Sequence, residues 1–184
     1  MKRLVLSLLG LAAAAACSTP TTPTYTVPLT FAQARVGGPL SSTHLKGGHE
    51  NPPNASQAQG QAMLKVSEDG LSVSYKLIAS NIENVVQAHI HLGSPAVNGP
   101  IVVFLYGLVP AGGGRHNGVL SEGTFTAANL IGPLAGDPLS DLLAEIAAGN
   151  AYVNVHTNDG VAPANTGPGD FPGGEVRGQI NAKK

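Results

Sequence analysis

A single cysteine, Cys17, and no tryptophan stand in a chain of 184 residues, of which charged residues make up only 11%. One thiol excludes an internal disulfide, and it excludes a zinc site built from several thiolates. Aromatic residues amount to 4%, so aliphatic side chains have to build the core. With Lys and Arg at 10 against Asp and Glu at 11, the net charge is -1, which gives no electrostatic case for nucleic acid or an anionic membrane surface. The apolar stretch of residues 4–16 is too short to cross a bilayer as a permanent helix. Gly-x-Ser-x-Gly, phosphate-binding glycine loops and dinucleotide fingerprints are missing too, and with them the common nucleophile and nucleotide chemistries.

What is present begins with 24 glycines and 14 prolines, a composition of many turns and short elements. Met1-Lys2-Arg3, the apolar stretch and Ala14-Ala15-Ala16 form a signal peptide over residues 1–16, so the chain is expected to be exported. Cys17 follows directly and resembles the lipidated cysteine of a bacterial lipobox, although Ala14 stands where that motif usually has Leu. Residues 17–28, rich in Thr and Pro, are an extended tether. A folded domain over residues 29–184 would then sit at the cell envelope, lipid-anchored and facing the periplasm or the exterior, with the lipid as its one contact with the membrane.

Within that domain the hydrophobic pattern is mostly of period two. A first strand is expected over residues 29–35, then a Gly/Pro-rich loop over 36–53. Ala62, Leu64 and Val66 alternate with polar residues, as do Leu71, Val73, Tyr75 and Leu77, and Glu68-Asp69-Gly70 between the runs signals a hairpin turn. The continuous apolar run 101–106 predicts a central strand. The glycines of 112–118 predict a mobile loop, and Gly123-Thr124-Phe125-Thr126 a short strand. One helix is expected, with Asp137 as N-cap, Pro138 at its first position, a stripe of Leu139, Leu142, Leu143 and Ile146, and Gly149 as its stop. A last strand covers 174–180. Together these predict an all-β fold, an antiparallel Greek-key β-sandwich or barrel with one short crossover helix.

Three histidines carry the chemistry. In Gln87-Ala88-His89-Ile90-His91-Leu92, alternation turns Ala88, Ile90 and Leu92 to the core and His89 and His91 to the other face. In Ala151-Tyr152-Val153-Asn154-Val155-His156-Thr157 it turns Val153 and Val155 inward and Tyr152, Asn154 and His156 outward. Side chains at i and i+2 on a strand stand about 6–7 Å apart, which lets both imidazoles reach one ion at about 2 Å. A lone histidine is ordinarily polar surface, but three on matched outward faces favour a metal site, copper ahead of zinc because imidazole sites follow the Irving–Williams order. His49, Glu50, Met63 and His116 are candidate further ligands; His44 and His116 otherwise read as solvated loop residues. Glu50 or Glu175 could pair with Arg177 and pin the early loop on the last strand, or orient an imidazole at a metal site.

The stretches Gly47-Gly48-His49-Glu50-Asn51-Pro52-Pro53, Ala88-His89-Ile90-His91-Leu92-Gly93, Asn98-Gly99-Pro100-Ile101-Val102, Gly149-Asn150-Ala151-Tyr152-Val153-Asn154-Val155-His156-Thr157 and Gly174-Glu175-Val176-Arg177-Gly178-Gln179-Ile180 occur in that order. Together they resemble the CHRD domain, named from chordin, over roughly residues 29–181. Chordin itself is an extracellular antagonist of growth-factor signalling and most bacterial members have no assigned activity, so the resemblance implies little about function. In pattern alone the chain is also similar to copper/zinc superoxide dismutase, a β-sandwich whose copper is held by outward histidines. It departs from that enzyme in lacking a cysteine pair and the further His and Asp ligands of a zinc subsite. The expected function is therefore binding of a transition metal through His89, His91 and His156. A metal-free adhesion module for an extracellular protein stands second, and a dismutase-like redox enzyme third.

Overall fold

The computed structural model describes residues 39–181. The signal peptide, the tether, Cys17 and the strand expected at 29–35 lie outside the described residues. Eight strands follow in chain order: β1 (Pro39–Lys46), β2 (Gln59–Val66), β3 (Ser72–Glu83), β4 (Val85–Leu92), β5 (Ile101–Gly107), β6 (Arg115–Thr126), β7 (Ala151–Thr157) and β8 (Val176–Gln179). One α-helix among the described residues, α1 (Leu139–Ala147), lies between β6 and β7, after two short 3-10 turns.

All pairs are antiparallel, in the order β5-β4-β7-β8-β1-β2-β3-β6. The sheet curls until its two ends meet. Tyr75 Oη (2.8 Å) and Ser121 Oγ (2.6 Å) both donate to the carbonyl of Leu105, so side chains from β3 and β6 close the seam against β5. The result is a nearly closed barrel, in which only short edges stay unpaired. Strands β3 and β4 are separated only by Asn84 yet pair with different neighbours. Asn84 makes this corner in the left-handed region, at φ 53°, where Asn is among the few tolerated residues. Its side chain ties the turn to two later loops, through Gly114 N at 3.0 Å and Gly169 O at 3.3 Å.

The interior holds Leu45, Leu64, Leu77, Ile82, Ile90, Val153, Val155, Val176 and Ile180, closed off by Leu139, Leu142 and Ile146 of α1. The hairpin of β2 and β3 is as the alternation predicts, except that Leu71 sits exposed in the turn. Among the described residues no helix is long and apolar enough to cross a membrane.

Four local expectations are corrected. Residues 39–46, expected in a loop, form β1; its inward positions are Ser41, Thr43 and Leu45, and the two hydroxyl residues hid the alternation. Arg115 to Thr126, expected as a mobile loop and a short strand, is one twelve-residue strand, β6. It is held by its ladder to β3 rather than by burial, since only Phe125 of it is buried. Strand β5 is not central but ends the sheet. Its apolar run reflects register shifts against β4 between Ala88 and His89 and between Ile90 and His91, which let neighbours such as Val102 and Val103 both be buried. Finally, α1 starts one residue late. Pro138 is its N-cap, and no side chain caps the first turn.

Truncation of Ile90, central on β4 and fully buried, tests this core. Ile90→Ala is expected to cost about 2–5 kcal/mol in urea unfolding with an unchanged m-value. A cost near zero would contradict the packing.

Candidate metal centre

Strands β4, β7 and β8 lie side by side, and register decides which side chains meet. His91 stands opposite Tyr152, His89 opposite Asn154 and Gln87 opposite His156; across β7, Asn154 faces Arg177 and Tyr152 faces Gln179. Alternation turns this row away from the core, and all of it except the half-buried Gln87 and Gln179 is nevertheless buried. His89, His91 and His156 are 0%, 7% and 6% exposed, because loops cover the outer face of the sheet.

The three imidazoles form one cluster. Ring centroids are 5.0 Å apart for His89 and His156, 5.4 Å for His89 and His91, and 6.0 Å for His91 and His156. One nitrogen from each ring lies within 4.8 Å of the other two, so the group could hold a metal ion. Backbone carbonyls fix two of the tautomers. His91 Nδ1 is 2.9 Å from Gly99 O and His156 Nδ1 is 2.8 Å from Pro172 O. A carbonyl only accepts, so each Nδ1 carries the hydrogen and each Nε2 keeps a free lone pair. His91 Nε2 is buried without a partner. His89 Nδ1 lies 3.2 Å from His156 Nε2; because that Nε2 is bare, His89 Nδ1 is the donor and its own Nε2 is left buried and unpartnered.

Burial keeps the cluster neutral. His89 is pushed down to about 3, by desolvation first and then by the charges of His156 and His91. His156 falls to about 4 through desolvation, against the Pro172 carbonyl and with a further push from His91. His91 is lowered by desolvation as well. Unprotonated imidazole is the ligand form.

Aromatic rings wall the cluster. Phe104 of β5 meets His89 edge-on at 4.5 Å. Tyr152 stacks parallel on His91, at 4.8 Å and 8°, and the Arg177 guanidinium lies on Tyr152, with Cζ 3.4 Å from the ring centroid.

The other candidates are placed differently. Glu50 is buried beside Arg177 and Asn154, outside the cluster, with Oε1 unpartnered. Desolvation raises it to about 7, against Arg177 and the Asn154 amide. His49 is exposed and its Nδ1 lies 3.2 Å from Arg177 O. Glu175 is buried and takes bonds from Ser56 Oγ (2.5 Å), Thr157 Oγ1 (2.7 Å) and Gly169 N (3.0 Å). The expected pairing of Arg177 with either carboxylate is therefore corrected. Among the described residues the ion pairs are Lys76–Glu122 and Arg115–Glu83, and Arg177 spends its donors on Asn98 Oδ1, Ser94 O and Val97 O. The early loop is still pinned on the last strand, by Ser56 on Glu175 and by Asn54 Nδ2 on the carbonyls of Gly174 and Glu175. Met63 sits on β2, three strands from β7, in a shallow groove with Lys65 and Tyr75. His44 and His116 belong to strands rather than loops, His44 on the exposed side of β1 and His116 half-buried on β6, and neither joins the cluster.

Sequence reasoning missed the groups that hold the rings. Gly99 reads as loop punctuation, yet a Cβ there would lie 1.4 Å from Leu92 O, so only glycine brings its carbonyl to His91. Gly174 is similarly confined, since a Cβ would meet Glu50 Oε1 at 2.6 Å and Asn154 Nδ2 at 2.7 Å. Pro172 acts through its carbonyl, which leaves no mark in side-chain identity. Beside the cluster, outside β1 and β8, a groove of about 680 Å³ is lined by His44, His49, Glu50, Arg177 and Gln179 among others.

A protein-family model described as the CHRD domain matches residues 41–180 of the chain. No curated protein and no solved structure matches it.

The buried imidazoles make stability depend on pH. Unfolded histidine titrates near 6.5, but His89 and His156 in the fold titrate near 3 and 4. Between those values the unfolded chain binds more protons, so stability is full above about 6.5 and is lost as pH falls. Glu50, raised from 4.5 to about 7, acts oppositely and loses stability as pH rises through that range. Two histidines outweigh one carboxylate. The Tm of the metal-free protein is expected to drop as pH goes from 6.5 to 4.5, and to drop less in His156→Gln. A flat or rising Tm in calorimetry would contradict a buried neutral cluster.

Proposed function

The chain belongs to the CHRD family, and we propose that its domain binds a transition metal ion, copper ahead of zinc, through His89 Nδ1, His91 Nε2 and His156 Nε2. The carrying observation is that two of the rings are locked by backbone carbonyls in the tautomer that frees Nε2, beside a third ring in hydrogen-bond contact. Metal-binding histidines ordinarily need just this kind of partner on their other nitrogen. An ion would displace the hydrogen shared by His89 and His156, moving it to His89 Nε2. Copper is favoured because an all-imidazole donor set binds Cu(II) most strongly among the common divalent ions. The role is binding or handling of the metal. A dismutase-like redox activity stands behind it, since the second subsite of that enzyme has no counterpart among the residues grouped here.

A second reading, a protein-interaction module without metal, is favoured by the apolar side chains that the fold leaves outside. Leu108 is 75% and Val161 66% exposed, with Phe104 and Val97 also exposed, and such side chains suit an extracellular protein partner. Export and lipid anchoring at Cys17 complete the proposal. Mass spectrometry of the membrane fraction is expected to find residues 1–16 absent and Cys17 acylated; a soluble chain that starts at Met1 would contradict it.

Titration with Cu(II) and Zn(II), followed by calorimetry and electron paramagnetic resonance, tests the metal reading. Sub-micromolar copper binding with nitrogen hyperfine structure is expected, weakened about 100-fold or more in His89→Ala/His91→Ala. Equal weak binding by both proteins would leave the interaction module.

A further inference from the structure

We infer that Arg177 is a positioning residue of the histidine cluster, holding His91 through two contacts at once. The inference rests on the metal reading only for what the positioned ring then does. Arg177 is 1% exposed and carries a fixed charge into the wall of the site, although among the described residues it makes no ion pair. The neighbouring Glu50 carboxylate acts on it only through space, so the buried guanidinium depends on neutral acceptors, and the ones Arg177 takes are informative. Its guanidinium donates to Asn98 Oδ1 at 3.0 Å, Ser94 O at 2.9 Å and Val97 O at 3.0 Å. All three belong to the loop between β4 and β5, the loop that carries Gly99. Gly99 O in turn accepts the His91 Nδ1 hydrogen at 2.9 Å.

The same guanidinium lies on the ring of Tyr152, and that ring stacks on His91. The two routes join, because Gly99 N donates to Tyr152 Oη at 3.1 Å. Arg177, the 94–99 loop, His91 and Tyr152 thus form a closed circuit in which one planar cation fixes both the carbonyl that sets the tautomer of His91 and the ring that sets its orientation. Only Arg can do this. Its fork reaches several carbonyls while its plane stacks, whereas Lys has a point charge and neither property. His156 is held independently: Pro172 lies in a loop that Glu175 secures through Gly169 N and Thr157 Oγ1. A general scaffold would support both rings alike; a positioning residue affects His91 alone.

That difference supplies the test. In long-range ¹H–¹⁵N spectra of the metal-free full chain, His91 and His156 are both expected as Nδ1–H tautomers with slowly exchanging ring hydrogens. Arg177→Lys, which keeps the charge, is expected to lose the His91 signal or turn it to a mixture of tautomers while His156 is unchanged, and to weaken copper binding about 10- to 100-fold. An unaltered His91 signal with unaltered exchange would overturn the inference. If Arg177→Lys loses both signals through failure to fold, Asn98→Ala decides, since it removes one of the three bonds from an exposed side chain. Faster exchange at His91 alone would support the circuit, and no change would overturn it. The spectra need no metal, so wild-type protein that fails to bind copper would end the metal reading and leave this result standing.

Discussion

Every residue of β7, Ala151 to Thr157, is buried, although alternate side chains on one of its faces are polar. Burial on both faces of a strand is ordinarily paired with an apolar sequence on both. Where one face carries Tyr, Asn and His instead, each polar atom must find a partner inside the protein, since water is no longer there to supply one. The loops over the outer face of the sheet meet this demand with backbone groups. Gly99, Pro172, Ser94 and Val97 contribute carbonyls, and Gly99 and Gly169 contribute amides. Much of the site's architecture follows from that need.

The same constraint governs the electrostatics. Three imidazoles in a dry layer cannot all charge, and burial drives each below its ordinary range. The layer tolerates one cation, Arg177, because three hydrogen bonds and an aromatic face surround it. It tolerates Glu175 because two hydroxyls and an amide do. Among the described residues, Nε2 of His89 and His91 and Oδ1 of Asn154 are buried without partners at the cluster, as are Oε1 of the neighbouring Glu50 and, elsewhere, His116 Nε2, Asp170 Oδ1 and Gln179 Oε1. Unpaired buried acceptors are costly, and a cation held by the cluster would relieve the one at His91 Nε2.

Much of the fold and of the cluster was legible. Strand alternation assigns His89, His91 and His156 to outward faces because the period of two needs no knowledge of tertiary structure, and the β2–β3 hairpin was visible through Gly70 for the same reason. The order of the stretches from Gly47 to Ile180 pointed to the CHRD family. Less was visible where polar residues face inward, as with Ser41 and Thr43 of β1, or where a register shift buries neighbouring residues, as in β5. Burial of the histidines was not readable, since it depends on loops whose sequence shows only turn signals. Nor was the choice of Arg177 for Asn98 Oδ1 and the carbonyls of Ser94 and Val97 over Glu50 or Glu175, because only three-dimensional packing decides among them.

Crystals grown with copper and measured on both sides of its absorption edge test the central claim most directly. The account expects one anomalous peak at bonding distance from His89 Nδ1, His91 Nε2 and His156 Nε2, with the Nδ1 bonds of His91 and His156 to Gly99 and Pro172 intact. A peak elsewhere, or none at the cluster in copper-saturated crystals, would contradict it.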